Sequence, residues 1–120
     1  MTKPQPANIL SLDDVRQRAR NLKLIIFDVD GILTDGSLYL ADDGQEHKVF
    51  FSLDGHGMKM LKRSGVELAI ITGRSSQLVA LRAINLGVTH IYQGAEDKLS
   101  AFLELLEKTG NDPAECAYMG

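Results

Sequence analysis

At 120 residues, 44% hydrophobic and 24% charged, the chain suits one globular domain (1–120) with a core and is too short for two. A formal charge of -3 without a Lys/Arg-rich run argues against nucleic-acid and membrane-surface partners and points to a small molecule. The single cysteine, Cys116, excludes an internal disulfide, and no apolar run approaches the roughly 18 residues that cross a bilayer. With no hydrophobic leader in MTKPQPANIL, the expected compartment is the cytoplasm.

Residues 1–10, with two prolines, read as a loose arm. From Ser11 a helix is expected, with Ser11 as N-cap, Asp13 and Asp14 at its positive end, and Leu12, Val15, Ala19 and Leu22 at helical spacing. LKLIIF is the first strand. In 38–51, two β-prone runs, Leu38 to Ala41 and Lys48 to Phe51, flank an Asp-Gly turn signal and predict a projecting hairpin. A short helix over 55–65, the strand VELAII, a serine-capped helix ending at Gly87, the strand VTHIY, a helix ending at Gly110 and a last strand in AECAYMG complete the chain. Strands alternating with helices predict an α/β fold, a doubly wound parallel sheet with helices on both faces.

Ligands of open parallel sheets bind at the carboxyl ends of the strands. That rim collects DVDG, TGRS and QGAEDK. Asp28 and Asp30 lie two apart, so an extended backbone points both carboxylates one way and Val29 the other. Two such charges ~6 Å apart repel by roughly 3 kcal/mol at an effective dielectric of 20, which calls for a cation between them or a proton on one. Mg²⁺, a hard ion with oxygen ligands, is the expected cation. Gly31 lets the chain turn at once. In AIITGRSSQ a strand hands over to a helix start, with the Thr72 hydroxyl, the Gly73 backbone and the Arg74 guanidinium arranged for a phosphate-like anion. Lys98 in the first turn of a helix opposes the dipole, and such departures mark working sites. Two carboxylates, a hydroxyl and an ammonium suit phosphoryl transfer.

FDVDGILTDG, IITGRS and EDK resemble, in order, the first three motifs of the haloacid dehalogenase superfamily of phosphohydrolases. The hairpin, SLDGHGMKML, ITGRSSQLVALRA and LGVTHIYQGAEDKLSAF are similar to one of its cap-less families, the phosphatases of 3-deoxy-D-manno-octulosonate 8-phosphate, which act in lipopolysaccharide synthesis. The resemblance implies a Rossmann-like fold and a Mg²⁺-dependent phosphatase in which Asp28 is the nucleophile and a metal ligand. Asp30 would protonate the departing oxygen, activate water and offer its carbonyl to the metal. Thr72, Gly73 and Lys98 would hold the phosphoryl oxygens, and Asp35 would brace the loop. Arg74 and Arg82, eight residues apart and within about 80° on one helix, would hold the carboxylate of the sugar acid. A homotetramer assembled through the hairpin 38–51, with Tyr39, Phe50 and Phe51 exposed, is also implied.

The superfamily's fourth motif adds a metal-binding aspartate after the last strand, and no such acid follows Gly120. The expectation is a C-terminally incomplete domain, a fragment or a truncated form, that alone binds Mg²⁺ weakly and turns over little. His56 is a candidate for substrate contact and Asp54 an N-cap or supporting group, while His47, His56 and His90 do not form a metal trio. Met58, Met60 and Cys116 are expected to pack. Rival readings are a phosphatase for another ulosonic or sialic acid phosphate, an inactive scaffold, and a phospho-accepting receiver domain, although neither LAII nor THIY ends in the aspartate a receiver would use.

Overall fold

The structure, a computed structural model, describes residues 9–120, so most of the expected N-terminal arm lies outside the described residues. Helix α1 (Leu12–Arg20) starts in a capping box: the Asp14 N–H donates to Ser11 Oγ at 3.1 Å, and the Ser11 N–H returns to Asp14 Oδ2 at 3.3 Å. None of its residues is buried, and Leu12 and Val15 face solvent. Its helical spacing is therefore genuine but covers no core, and local capping holds it.

Strands β1 (Leu24–Phe27), β4 (Glu67–Ile71), β5 (His90–Tyr92) and β6 (Cys116–Met119) form one parallel sheet in the order β5-β4-β1-β6. Between β1 and β4 the chain makes a two-stranded hairpin, β2 (Tyr39–Leu40) with β3 (Glu46–His47), and helix α2 (Ser52–Arg63). Helices α3 (Gln77–Leu86) and α4 (Lys98–Thr109) follow β4 and β5. In β1 and β4, period-two alternation sorts side chains between two cores. Leu24, Ile26, Ala69 and Ile71 pack with Ala101 and Leu105 of α4. Phe27, Leu68 and Ile70 pack on the other face with Met58, Val79 and Ala83 of α2 and α3. Apolar residues on both faces of a strand are what a parallel sheet between helices requires. No helix of the described residues is long and apolar enough to cross a membrane.

Several boundaries differ from expectation. The hairpin's second strand lies at Glu46–His47, before the predicted Lys48 to Phe51, because Phe50 leaves the hairpin to pack against the α2/α3 core. Phe50 is thus not an exposed hairpin aromatic, whereas Tyr39 and Phe51 are. Helix α2 begins at Ser52, which puts Asp54 inside its first turn and not at the N-cap. Met60 is exposed, while Met58 packs as expected. Gly87 and Gly110 end their helices in the left-handed conformation, at φ 72° and 71°.

Leu105 is fully buried against the sheet, so Leu105→Ala is expected to cost about 2–5 kcal/mol in urea unfolding. Val15→Ala on the uncovered face of α1 should change stability by less than about 0.5 kcal/mol.

Candidate active site

The end of β1 delivers the first two groups. Val29 enters the core, and Asp28 and Asp30 stay part-exposed at the carboxyl rim of the sheet. The chain then turns sharply, with Gly31 at φ 81°. Thr34, buried beneath this turn, accepts the N–H groups of Gly31 at 3.3 Å and Gly36 at 3.1 Å. The loop is therefore braced by Thr34. Asp35, expected in that role, is exposed and accepts the Ser37 N–H of its own turn, at 2.9 Å.

Asp28 is held from several directions. Its Oδ1 accepts the Val29 N–H at 2.7 Å, and its Oδ2 accepts from Lys98 Nζ at 2.9 Å. Partial burial pushes its carboxyl up, but the hydrogen bond from Lys98, the Val29 N–H, the Lys98 charge and the Thr72 hydroxyl together hold it below the usual carboxylate range. The hydrogen bond to Asp28 in turn raises Lys98, outweighing its desolvation. Asp97, the N-cap of α4, accepts the N–H groups of Leu99 and Ser100 at 3.1 and 3.2 Å, so the helix start is satisfied while Lys98 reaches back to the rim. Tyr118 of β6, unforeseen from the sequence, accepts from Lys98 Nζ at 3.3 Å.

Thr72 directly follows β4 and is 2% exposed. Its N–H donates to the Tyr92 carbonyl at 2.9 Å, and its carbonyl accepts the Ala95 N–H at 3.0 Å. These bonds lock the TGRS and QGAEDK segments together and leave the hydroxyl beside Asp28. The anticipated helix start next to Thr72 is absent, because the segment runs on along the rim and α3 begins only at Gln77. Ser76, its N-cap, makes no side-chain capping bond, and its N–H is taken by Gln93 Oε1 at 2.8 Å.

Arg74 consequently lies in a loop and does not share a helix with Arg82, so the expected geometric pairing of the two is corrected. Arg74 donates to Glu46 Oε2 at 2.8 Å, and its Nε stands 3.9 Å from Asp30 Oδ2. The hydrogen bond from Arg74 holds the Glu46 carboxyl below its ordinary range. Arg82 turns toward α2: its guanidinium lies 5.9 Å from the centre of the Phe50 ring and against Gly55, where any Cβ would collide with it. Its Nε is buried without a hydrogen-bond partner among the described residues.

Lys48, also missed in the sequence, donates to Asp30 Oδ1 at 2.8 Å. The predicted repulsion between the paired acids is thus relieved within the chain, Asp28 by Lys98 and Asp30 by Lys48. His56 is an exposed residue of α2, and His90 pairs with Glu67 at 3.1 Å in the sheet.

Among the described residues no group of three His, Cys, Asp or Glu side chains could hold a metal ion alone. Asp28 and Asp30 nonetheless suit Mg²⁺: the part-exposed Asp28 carboxylate and the Asp30 backbone carbonyl are hard oxygen donors, and this ion takes one or two carboxylates with other oxygens and waters completing its shell.

A carboxyl whose folded pKa is depressed adds stability above its unfolded pKa and loses it as the pH falls through the folded value. Without metal, the protein should therefore lose stability as pH drops below about 4. Asp28→Asn should flatten that acid limb of urea unfolding, and an unchanged limb would show that the Lys98 contact is too weakly formed to matter.

No family model matches the chain. It is 48% identical over 108 residues to the 3-deoxy-D-manno-octulosonate 8-phosphate phosphatase KdsC of Yersinia pestis, a match that covers 90% of this chain and 58% of the relative. The same enzyme of Escherichia coli K12 is 48% identical over 107 residues, covering 89% of this chain and 57% of the relative. The chain thus spans little more than half the length of these relatives. A crystal structure of the phosphatase from Moraxella catarrhalis, in complex with magnesium, phosphate and KDO, superposes with a TM-score of 0.88 at 47% identity, covering 92% of this chain and 63% of the other. A structure from Legionella pneumophila assigned to the HAD superfamily, subfamily III A, superposes with a TM-score of 0.88 at 39% identity, covering 91% of this chain and 60% of the other. The chain is accordingly a homologue of the 3-deoxy-D-manno-octulosonate 8-phosphate phosphatases and has the α/β fold of HAD-superfamily hydrolases.

Proposed function

We propose that the protein is a Mg²⁺-dependent phosphatase that hydrolyses 3-deoxy-D-manno-octulosonate 8-phosphate to the free sugar acid and phosphate. The observation that carries this reading is the ionised Asp28 at the end of β1, flanked by Lys98 and the Thr72 hydroxyl. A carboxylate kept charged and aimed by fixed donors is the form a nucleophile needs. The M. catarrhalis relative, crystallised with magnesium, phosphate and KDO, supplies the substrate class.

In the proposed reaction an Asp28 carboxylate oxygen attacks phosphorus, the bond from phosphorus to the sugar oxygen breaks, and Asp30 gives that oxygen a proton. Water then attacks the aspartyl-phosphate, Asp30 takes a proton from it, and phosphate leaves with the Asp28 carboxylate restored. Lys98, Thr72 and the Gly73 backbone hold phosphoryl oxygens while charge spreads over them. The metal would be held by the Asp28 carboxylate and by Asp30, and its role is to neutralise phosphoryl charge. Arg74 would exchange Glu46 for the sugar acid's carboxylate, since a guanidinium pairs well with such a group. A groove of about 400 Å³ lined by Glu46 and Ser75, among others, lies beside it. Arg82, 5.9 Å from the centre of the Phe50 ring, would support the segment that carries Lys48 and is not placed to share the carboxylate with Arg74. The same groups would serve another ulosonic acid phosphate.

Residues 1–120 would be a single HAD-like unit, acting in the cytoplasm. Exposed Tyr39, Leu40 and Phe51 support a homotetramer built through the hairpin.

With Mg²⁺ present, Asp28→Asn in the full-length protein should lower phosphate release from the sugar-acid phosphate by at least about a thousandfold without loss of fold. Chelation by EDTA should abolish turnover reversibly. A folded Asp28→Asn protein with near-normal turnover would remove the assignment. Arg74→Ala should raise KM for the sugar-acid phosphate about tenfold or more and leave a phosphate ester lacking a carboxylate unaffected.

A further inference from the structure

We propose that Lys48 is a positioning residue for Asp30, one that fixes which carboxylate oxygen of Asp30 carries the proton to the leaving group. The inference rests on the phosphatase reading above. Lys48 follows β3 directly, and its side chain is 1% exposed. Its ammonium donates to Asp30 Oδ1 at 2.8 Å and lies 3.4 Å from Glu46 Oε1, an ion pair without hydrogen-bond geometry. Glu46 Oε2 accepts from Arg74, whose Nε faces Asp30 Oδ2 at 3.9 Å. Alternating charges thus close a ring around Asp30.

A buried ammonium is costly unless paired, so Lys48 stays where its partners are and its partners stay with it. The hairpin has little else to locate it. Its ladder is two residue pairs long, too short to stand alone, and Tyr39, Leu40 and Val49 face solvent. Phe50, packed on the core, and the ion ring are what tie this segment to the rim. The hairpin's seat and the Asp30 orientation are therefore a single arrangement. With Oδ1 accepting from Lys48, and Arg74 Nε beyond hydrogen-bond distance of Oδ2 at 3.9 Å, the oxygen left for the leaving group is Oδ2. Proton donation needs that alignment, because a general acid works only within hydrogen-bond reach of the oxygen it protonates.

A residue that merely anchors the hairpin and one that aims an acid differ in how they respond to the leaving group. A sugar alkoxide needs a proton as its bond to phosphorus breaks, whereas a nitrophenolate departs without one. The kcat/KM of each ester reports the steps through that departure. In the full-length protein with Mg²⁺, Lys48→Met is expected to lower kcat/KM for the sugar-acid phosphate by about tenfold or more and for p-nitrophenyl phosphate by less than about threefold. Lys48→Arg, which keeps a cation on Asp30, should recover most of the loss. If Lys48→Met does not fold, Lys48→Gln carries the same expectation. Equal loss on both esters, or no loss on either, would overturn the positioning role and leave the phosphatase reading intact. Failure of the unsubstituted protein to hydrolyse either ester would overturn that reading, and this inference with it.

Discussion

The ion pair between Asp28 and Lys98 is the contact on which the arrangement of the rim depends. It joins the end of the central strand β1 to the start of α4, 70 positions away in sequence. An ammonium at the positive end of a helix is locally unfavourable. Asp97 offsets this by capping the same turn, and Asp28 supplies the opposite charge. Because Asp28 is partly buried, desolvation alone would push its carboxyl up. The Lys98 hydrogen bond and charge, with the Val29 N–H and the Thr72 hydroxyl, outweigh that push and hold the carboxyl below its ordinary range. Fold and site are coupled here: the parallel sheet brings the two elements to one rim, and the charges use that proximity.

A second constraint is electroneutrality. The carboxylates of Asp28, Asp30 and Glu46 meet the cations of Lys98, Lys48 and Arg74 in a half-screened setting. Counted as ionised, these three acids and three bases balance; in the proposed reaction Asp30 must first take up the proton that it gives to the leaving oxygen. A phosphate dianion entering alone would unbalance the rim, and a divalent cation entering with the phosphate would not. In the proposed reaction that matching would favour joint binding of metal and substrate over either alone, since uncompensated charge in a partly desolvated site is costly.

Much of the fold was legible because its signals are local. Apolar runs such as LIIF and ELAII mark buried parallel strands, and Gly87 and Gly110 mark helix ends through a conformation that other residues avoid. Asp28, Thr72 and Lys98 were legible as a group because the carboxyl rim gathers them, and the structure does so. Where the reading failed, a distant contact decided. Residues 48–51 look like a strand, but Phe50 is drawn into the core. The serine-capped helix α3 was legible, but Arg74 stays in the loop before it, where Ser76 gives its N–H to Gln93 of the next rim segment. Glu46 lies in the expected turn segment and Lys48 at the start of the β-prone run, and nothing within the hairpin signals that Lys48 contacts Asp30 and Glu46 contacts Arg74. On α1 the pattern was read correctly, but helical spacing cannot reveal whether anything covers the face.

The most direct test of the account is to look for the covalent bond itself. The full-length protein should be mixed with Mg²⁺ and the sugar-acid phosphate, quenched in acid within the first turnover, and mapped by peptide mass spectrometry. The account predicts one phosphoryl group on the peptide containing Asp28 and none after Asp28→Asn. Turnover with no phosphorylated peptide, or with the group on another side chain, would contradict it.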